Sequence, residues 1–204
     1  MDKAPFIQNR PSTNPFATRY VRPGAIAFRF AEGESARRLV ARLQANGWRG
    51  QIVGAHGTGK STLLASLRPA LEAAGRSVVS FSLHDGQRRL PANPRLLRSL
   101  REQDMLVIDG YEQLGAMARF SLRLICRKSR CGLLVTAHAD VGLPALYATQ
   151  VDLSTAQSIA ADLLSGAEST ISQADVEQAL TQHSGNLREA LFYLYDLYEL
   201  RRSS

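Results

Sequence analysis

The sequence predicts an α/β fold, a parallel sheet covered by helices on both faces, followed by three C-terminal helices. Three observations predict it. Short β-rich apolar stretches alternate with helix-periodic stretches from residue 25 to about 153, an order that calls for crossover helices and a sheet buried on both sides. A polar, glycine-rich segment, "GAHGTGKST" from Gly54 to Thr62, separates a strand pattern from a helix pattern. After Ser154 the strand patterns stop and only helical periodicity remains.

Taken in order, residues 1–24 hold Pro5, Pro11, Pro15 and Pro23 with little periodicity and read as an extended arm. "AIAFRF" (25–30) alternates like a strand. "ESARRLVARLQANG" sets Leu39, Val40 and Leu43 on one helical face, with Gly47 as a stop. "GQIV" reads as a strand, and the helix after the glycine-rich segment runs to about Ala74. "SVVSFSL" (77–83) is a strand and "HDGQRRLPA" a loop. "NPRLLRSLRE" is a helix with Asn93 as N-cap and Pro94 at its first position. "DMLVIDG" is a buried strand ending at Asp109; "EQLGAMARFSLRLICRKSR" is helical; "GLLVTAH" is a second buried strand; "TQVDLS" is a short last one. In the remainder, Ser154 with Gln157 suggests a capping box, and Gly166 and Gly185 suggest helix stops. The expected organisation is an arm over 1–24, an α/β core over 25–153 and a helical unit over 154–204.

Bulk properties narrow the function classes. The longest apolar runs, "MLVI" and "LLVTA", are too short to cross a bilayer, so no membrane association is expected. The start lacks an apolar signal core, and Cys126 and Cys131 are too few for a disulfide framework, so a reducing cytoplasm is expected. The net charge of +7 is uneven, because residues 151–204 carry 8 acidic against 3 basic side chains while the rest is basic. A basic body suits an anionic partner such as nucleic acid, or is simply a solvated arginine-rich surface. The cysteines have no accompanying histidine pattern that would make a metal site.

The glycine-rich segment carries the most chemistry. Gly54, Gly59, Lys60 and Ser61 fit G-x-x-x-x-G-K-[ST] between a strand and a helix, the context this pattern needs. Glycines let the backbone curl so that N–H groups face phosphate oxygens, and the helix that follows adds the positive end of its dipole. The whole stretch Gly54, Ala55, His56, Gly57, Thr58, Gly59, Lys60, Ser61 and Thr62 is therefore a candidate phosphate cradle. Lys60 can reach the β- and γ-phosphates, and the Ser61 hydroxyl can ligate Mg²⁺. His56 tolerates many replacements as a loop position. Asp109, at the end of a buried strand downstream, is placed to hold the Mg²⁺ through water.

With these two motifs the chain resembles the P-loop NTPases. The intervening strand "SVVSFSL" gives an order similar to the division containing AAA+, RecA-like, ABC and STAND proteins. The resemblance spans about residues 25–201 and implies ATP or ADP with Mg²⁺ as cofactors. It implies for Thr136 the role of the AAA+ "sensor 1" polar residue near the γ-phosphate. It implies for Arg188, in "SGNLREA", the role of the "sensor 2" arginine at the start of a lid helix. The C-terminal helices then resemble an AAA+ lid.

Two departures bear on turnover. AAA+ enzymes follow the strand aspartate with a glutamate that polarises water; here Gly110 follows, and Glu112 stands three positions on, in "IDGYEQL", which also resembles the "DG-x-D-E" form of STAND proteins. Glu112, or Gln113 as an amide, is the candidate for orienting water. No arginine or lysine lies in "AHADVGLPALYA", where AAA+ rings carry an arginine finger; the basic cluster Arg123, Arg127, Lys128 and Arg130 precedes it. The expectation is an AAA+-like ATPase whose catalytic set is Lys60, Asp109, Glu112 and Thr136, moving core against lid and acting on a protein partner or on copies of itself. The alternatives are a slow-hydrolysing STAND-like switch or adaptor, and a nucleic-acid-associated accessory ATPase. A small-molecule kinase fits less well, lacking an arginine-rich lid over the phosphates.

Overall fold

The computed structural model describes residues 14–84, 86–165 and 170–203. The arm expectation over residues 1–13, Asp85 in the predicted loop and the stop predicted at Gly166 lie outside them. The chain divides into a sheet unit, residues 27–150, and a helical unit that joins the described residues of 1–26 to 151–204.

The sheet unit begins with α2 (Ala36–Ala45), which follows the short helix α1 (Thr18–Val21) of the other unit. It continues β1 (Arg49–Val53), α3 (Lys60–Ala73), β2 (Ser77–Ser82), α4 (Pro94–Ser99), β3 (Asp104–Asp109), a 3₁₀ turn (Tyr111–Gln113), α5 (Ala116–Ser129), β4 (Gly132–Ala137) and β5 (Ala145–Ala148). All pairings are parallel and the order is β2-β3-β4-β1-β5, so β1 lies between two late strands.

Side-chain alternation explains the two layers. Met105 and Val107 of β3 and Leu134 of β4 join Leu39, Leu43, Leu63 and Leu67 of α2 and α3 on one face. Their neighbours Leu106, Ile108, Leu133 and Val135 join Tyr111, Leu122 and Cys126 on the other. A parallel strand must be apolar on both sides to do this, which is why β3 and β4 read as continuous apolar runs. Helix starts follow the predicted chemistry: Ser35 caps α2, and Asn93 caps α4 with Pro94 behind it. Cys126 and Cys131 are free and buried, and hydrogen bonding between them with burial raises the Cys126 thiol above its ordinary value.

Four element predictions need correction. Ala25–Phe30 is not a strand. Its alternation does place Phe28 and Phe30 against the α2–α3 face, but side-chain hydroxyls rather than a neighbouring strand serve the backbone: Phe28 N–H donates to Ser66 Oγ at 3.3 Å and Ala31 N–H to Tyr147 Oη at 3.4 Å. Rings at 5.1 Å (Phe28–Phe30) and 5.8 Å (Phe28–Tyr147) supply the packing. The last strand is Ala145–Ala148, earlier than "TQVDLS", because Leu146 is the residue that fills the core there. The helix expected from Glu112 onward is broken: buried Tyr111 and Leu114 anchor a 3₁₀ turn, and α5 starts only after Gly115. Finally, Ser154 and Gln157 do not form a capping box; Asp152 caps the next helix, its carboxylate accepting from Thr155 N–H at 2.7 Å.

The helical unit contains α6 (Leu153–Leu164), α7 (Gln173–Gln182) and α8 (Leu187–Arg202). Its core is Phe16, Ile159, Leu163, Val176, Leu180, Leu191, Leu194 and neighbours. The described part of the expected arm therefore packs as part of this unit: Phe16 is fully buried, and Asn14 Nδ2 donates to Tyr195 O and Glu199 Oε1, both at 2.9 Å. A reciprocal capping box does occur, at Ser172 and Asp175. The stop at Gly185 takes the left-handed φ of 79° after α7 ends.

Candidate functional site

The C-terminal edges of β1, β3 and β4 carry the site, the place where open parallel sheets hold ligands. Register puts Ile52 beside Thr136 and Val53 beside Ala137, so the loop after β1 emerges next to the end of β4. Gly57 and Gly59 hold φ of 70° and 91°, the left-handed conformations that curl a loop so that its N–H groups converge. Gly59 is the N-cap of α3, and Lys60 and Ser61 open that helix. Lys60 Nζ spans the loop, donating to Gly54 O and Ala55 O, each at 2.7 Å.

Gly54 is required for a different reason. A Cβ there would fall on Thr149 Oγ1, 2.6 Å from Thr149 O and 2.8 Å from Thr58 Oγ1. Thr149 was not foreseen. It is 5% exposed, its N–H donates to Val53 O at 2.8 Å, and its hydroxyl lies 2.7 Å from that of Thr58, which donates to Ala55 O at 2.9 Å. This clasp fixes the base of the loop. No local pattern signals it, because the partners are far apart in sequence.

Asp109 is the hub. Its Oδ2 accepts from Ser61 Oγ at 2.6 Å and its Oδ1 from Thr136 Oγ1 at 2.5 Å. Thr136 is fully buried, and its hydroxyl accepts from Gly110 N–H at 2.9 Å. The structure thus brings Lys60, Ser61, Asp109 and Thr136 together. The Thr136 hydroxyl is engaged in fixing the Asp109 carboxylate and the turn after it. The donor set suits a hard cation: a serine hydroxyl and a carboxylate are the oxygen ligands Mg²⁺ takes.

The position of Gly110 has no room for a side chain. Its φ is 79°, and a Cβ would lie 2.8 Å from Leu83 O at the end of β2. A side chain at this position would be strained and would push that carbonyl aside; the next carboxylate after Asp109 is Glu112, in the 3₁₀ turn. Glu112 Oε1 lies 3.3 Å from His138 Nδ1, and the His138 ring lies 3.7 Å, centroid to centroid, from His56 of the loop. His138 was also missed, although a titratable residue just past the end of a parallel strand is a readable signal. The segment carrying it is tied down by buried Gln51, whose Nε2 donates to Asp140 Oδ1 at 2.6 Å and Leu143 O at 2.7 Å. The Gln51 and Gly142 donors hold the Asp140 carboxyl below its ordinary range.

The remaining candidates are placed differently. Gln113 closes the 3₁₀ turn, its N–H donating to Gly110 O at 3.0 Å. Arg123 bonds Tyr111 Oη at 3.3 Å and Val141 O, while Arg127, Lys128 and Arg130 are exposed at the end of α5. Arg188 belongs to the helical unit, exposed in the first turn of α8. Among the described residues no group of three or more His, Cys, Asp or Glu could hold a metal, and no helix is long and apolar enough to cross a membrane.

No protein-family model and no curated protein matches the chain. Solved structures do. Cdc6p from Pyrobaculum aerophilum is similar with a TM-score of 0.60 at 19% identity, over 90% of this chain and 63% of that one. A replication initiator DnaA, solved with AMPPCP and single-stranded DNA, gives 0.55 at 18%, over 85% and 63%. RuvB from Thermotoga maritima gives 0.54 at 18%, over 79% and 59%. The chain thus spans 59–63% of the length of these proteins. They are AAA+ P-loop ATPases, and the parallel five-stranded core with its flanking helices is their α/β fold.

Proposed function

We propose that the chain is an AAA+-like ATPase that binds ATP with Mg²⁺, hydrolyses it, and couples that cycle to motion of the sheet unit against the helical unit. The observation that carries the reading is the Asp109 hub, a carboxylate fixed by Ser61 and Thr136 at the mouth of a glycine loop containing Lys60. Lys60 would exchange its two loop carbonyls for phosphate oxygens. Ser61 and Asp109 would hold Mg²⁺, Asp109 through water, and the cation would neutralise charge on the phosphates. Thr136 keeps the Asp109 carboxylate aimed. Glu112 orients the attacking water and takes its proton. Arg188, exposed at the start of a helix where a cation gains nothing from the dipole, would contact the nucleotide from the lid.

Partner chemistry follows from charge. The basic excess outside residues 151–204, and a DnaA neighbour solved with single-stranded DNA, support an anionic partner such as nucleic acid. A protein partner or self-association remains the other recipient of the motion. One observation favours the switch reading instead: Glu112 is already paired with His138. Calorimetry with ATP·Mg²⁺ and single-turnover hydrolysis separate the readings. Glu112→Gln should keep affinity and lower the rate by about 10²–10⁴. A rate within a few-fold of the parent moves the chain to the slow switch, and failure of the parent to bind ATP·Mg²⁺ removes both readings.

A further inference from the structure

We infer that His138 is a positioning residue that aims the Glu112 carboxylate and ties it to the phosphate loop through His56. The inference rests on the reading of Glu112 as the group that orients water. Three residues from three separate segments meet here: His56 from the loop after β1, Glu112 from the turn after β3, and His138 from the end of β4. All three lie within the sheet unit.

The geometry defines the task of each. His138 Nδ1, 3.3 Å from Glu112 Oε1, holds one oxygen of the carboxylate. The other oxygen, Oε2, is buried and has no hydrogen-bond partner among the described residues. A buried carboxylate oxygen needs a donor, and leaving it without one is costly. Because Oε2 is closed off from solvent, the contact of His138 with Oε1 governs how the carboxylate can meet a water. The imidazole that pins Oε1 is itself fixed by the segment that Gln51 ties down, and its ring rests on His56 at 3.7 Å between centroids. A change in the loop when phosphate binds reaches His56 first, then His138, then the carboxylate. This couples the presence of the nucleotide to the aim of the base without requiring Glu112 to touch the loop.

The test uses the full chain and single-turnover kinetics, so that slow rates remain measurable. His138→Ala should lower the hydrolysis rate about 10–100-fold, as loss of an outer partner does for other functional groups, with ATP·Mg²⁺ affinity within about twofold of the parent. His138→Gln, which keeps an N–H donor, should recover much of the loss. His56→Ala should lower the rate less, and its effect should not add to that of His138→Ala, because both act through one contact. Imidazole nitrogen resonances give a readout independent of turnover. Those of His138 should shift in Glu112→Gln and on adding ATP·Mg²⁺, and the second response should vanish in His56→Ala. An unchanged or higher rate in His138→Ala, while Glu112→Gln is slow, overturns the inference and leaves the ATPase reading standing. His138 resonances that respond to neither change also overturn it. A Glu112→Gln variant as fast as the parent instead removes the reading beneath it.

Discussion

In the sheet unit, polar side chains converge on one strand edge; in the helical unit, apart from buried Asn14, they cap helices and pair along the surface. Asp109, Ser61 and Thr136 come from three segments and bond to one another. Asp152, Ser172 and Asn186 each cap the helix that starts beside them. Long-range polar bonding makes a place where something can be held, and local polar bonding makes helices with sharp ends. Damage to the first should therefore appear in ligand binding and turnover, and damage to the second in stability.

The largest effect is expected where the helical unit is most purely structural. Leu194, 1% exposed, is central to its core, and Leu194→Ala should cost about 2–5 kcal/mol in urea denaturation followed by circular dichroism. Loss of less than about 1 kcal/mol would mean that this core is loosely packed and that the contrast is false. Lys60→Ala should behave in the opposite way. Removal of charge-assisted bonds of about 1.5–3 kcal/mol should weaken ATP·Mg²⁺ binding by roughly ten- to a hundredfold, while the melting temperature stays near that of the parent. A large fall in melting temperature with binding intact would assign the lysine to the fold.

The smallest effect sharpens the comparison on the helical side. Arg201 pairs with Asp175 at 2.7 Å, and this bond, together with donors from Ser172, depresses the Asp175 carboxyl below its ordinary value. The folded value is below the unfolded one, so the stabilisation is complete above the unfolded carboxylate value of about 3.9 and fades as pH falls through the folded value. The parent should therefore be more stable than Arg201→Ala at neutral pH, with the difference shrinking in acid below about pH 4. A difference that grows on acidification would contradict the pairing.

What the sequence made legible follows the same division. The glycine loop, the apolar strands that carry Asp109 and Thr136 at their C-terminal ends, and the caps at Ser35 and Asn93 are read from neighbours along the chain, so local pattern suffices. Gly110 was legible only as an anomaly, because the carbonyl that excludes a side chain there belongs to Leu83. Thr149 is not legible because its partner Thr58 is distant in sequence, whereas the place of His138 just past β4 is legible and only its pairing with Glu112 is not. The strand misread at 25–30 shows the converse: alternation identified which side chains face the core, but not whether the backbone has a neighbour to pair with.

The position of β1 has a consequence for the timing of biosynthesis. β1 is made early, yet it pairs only with β4 and β5, which are made late. A ribosome-bound chain that has passed the glycine loop has all of its loop residues but not the supports that Asp109, β4 and Thr149 give them. Ile52 still lacks Thr136, and Gly54 still lacks the Thr149 hydroxyl that closes its base. Pairing over such separations is slow and leaves apolar strands exposed in the interim. The site that this loop offers a ligand is therefore complete only once Thr149 has left the exit tunnel.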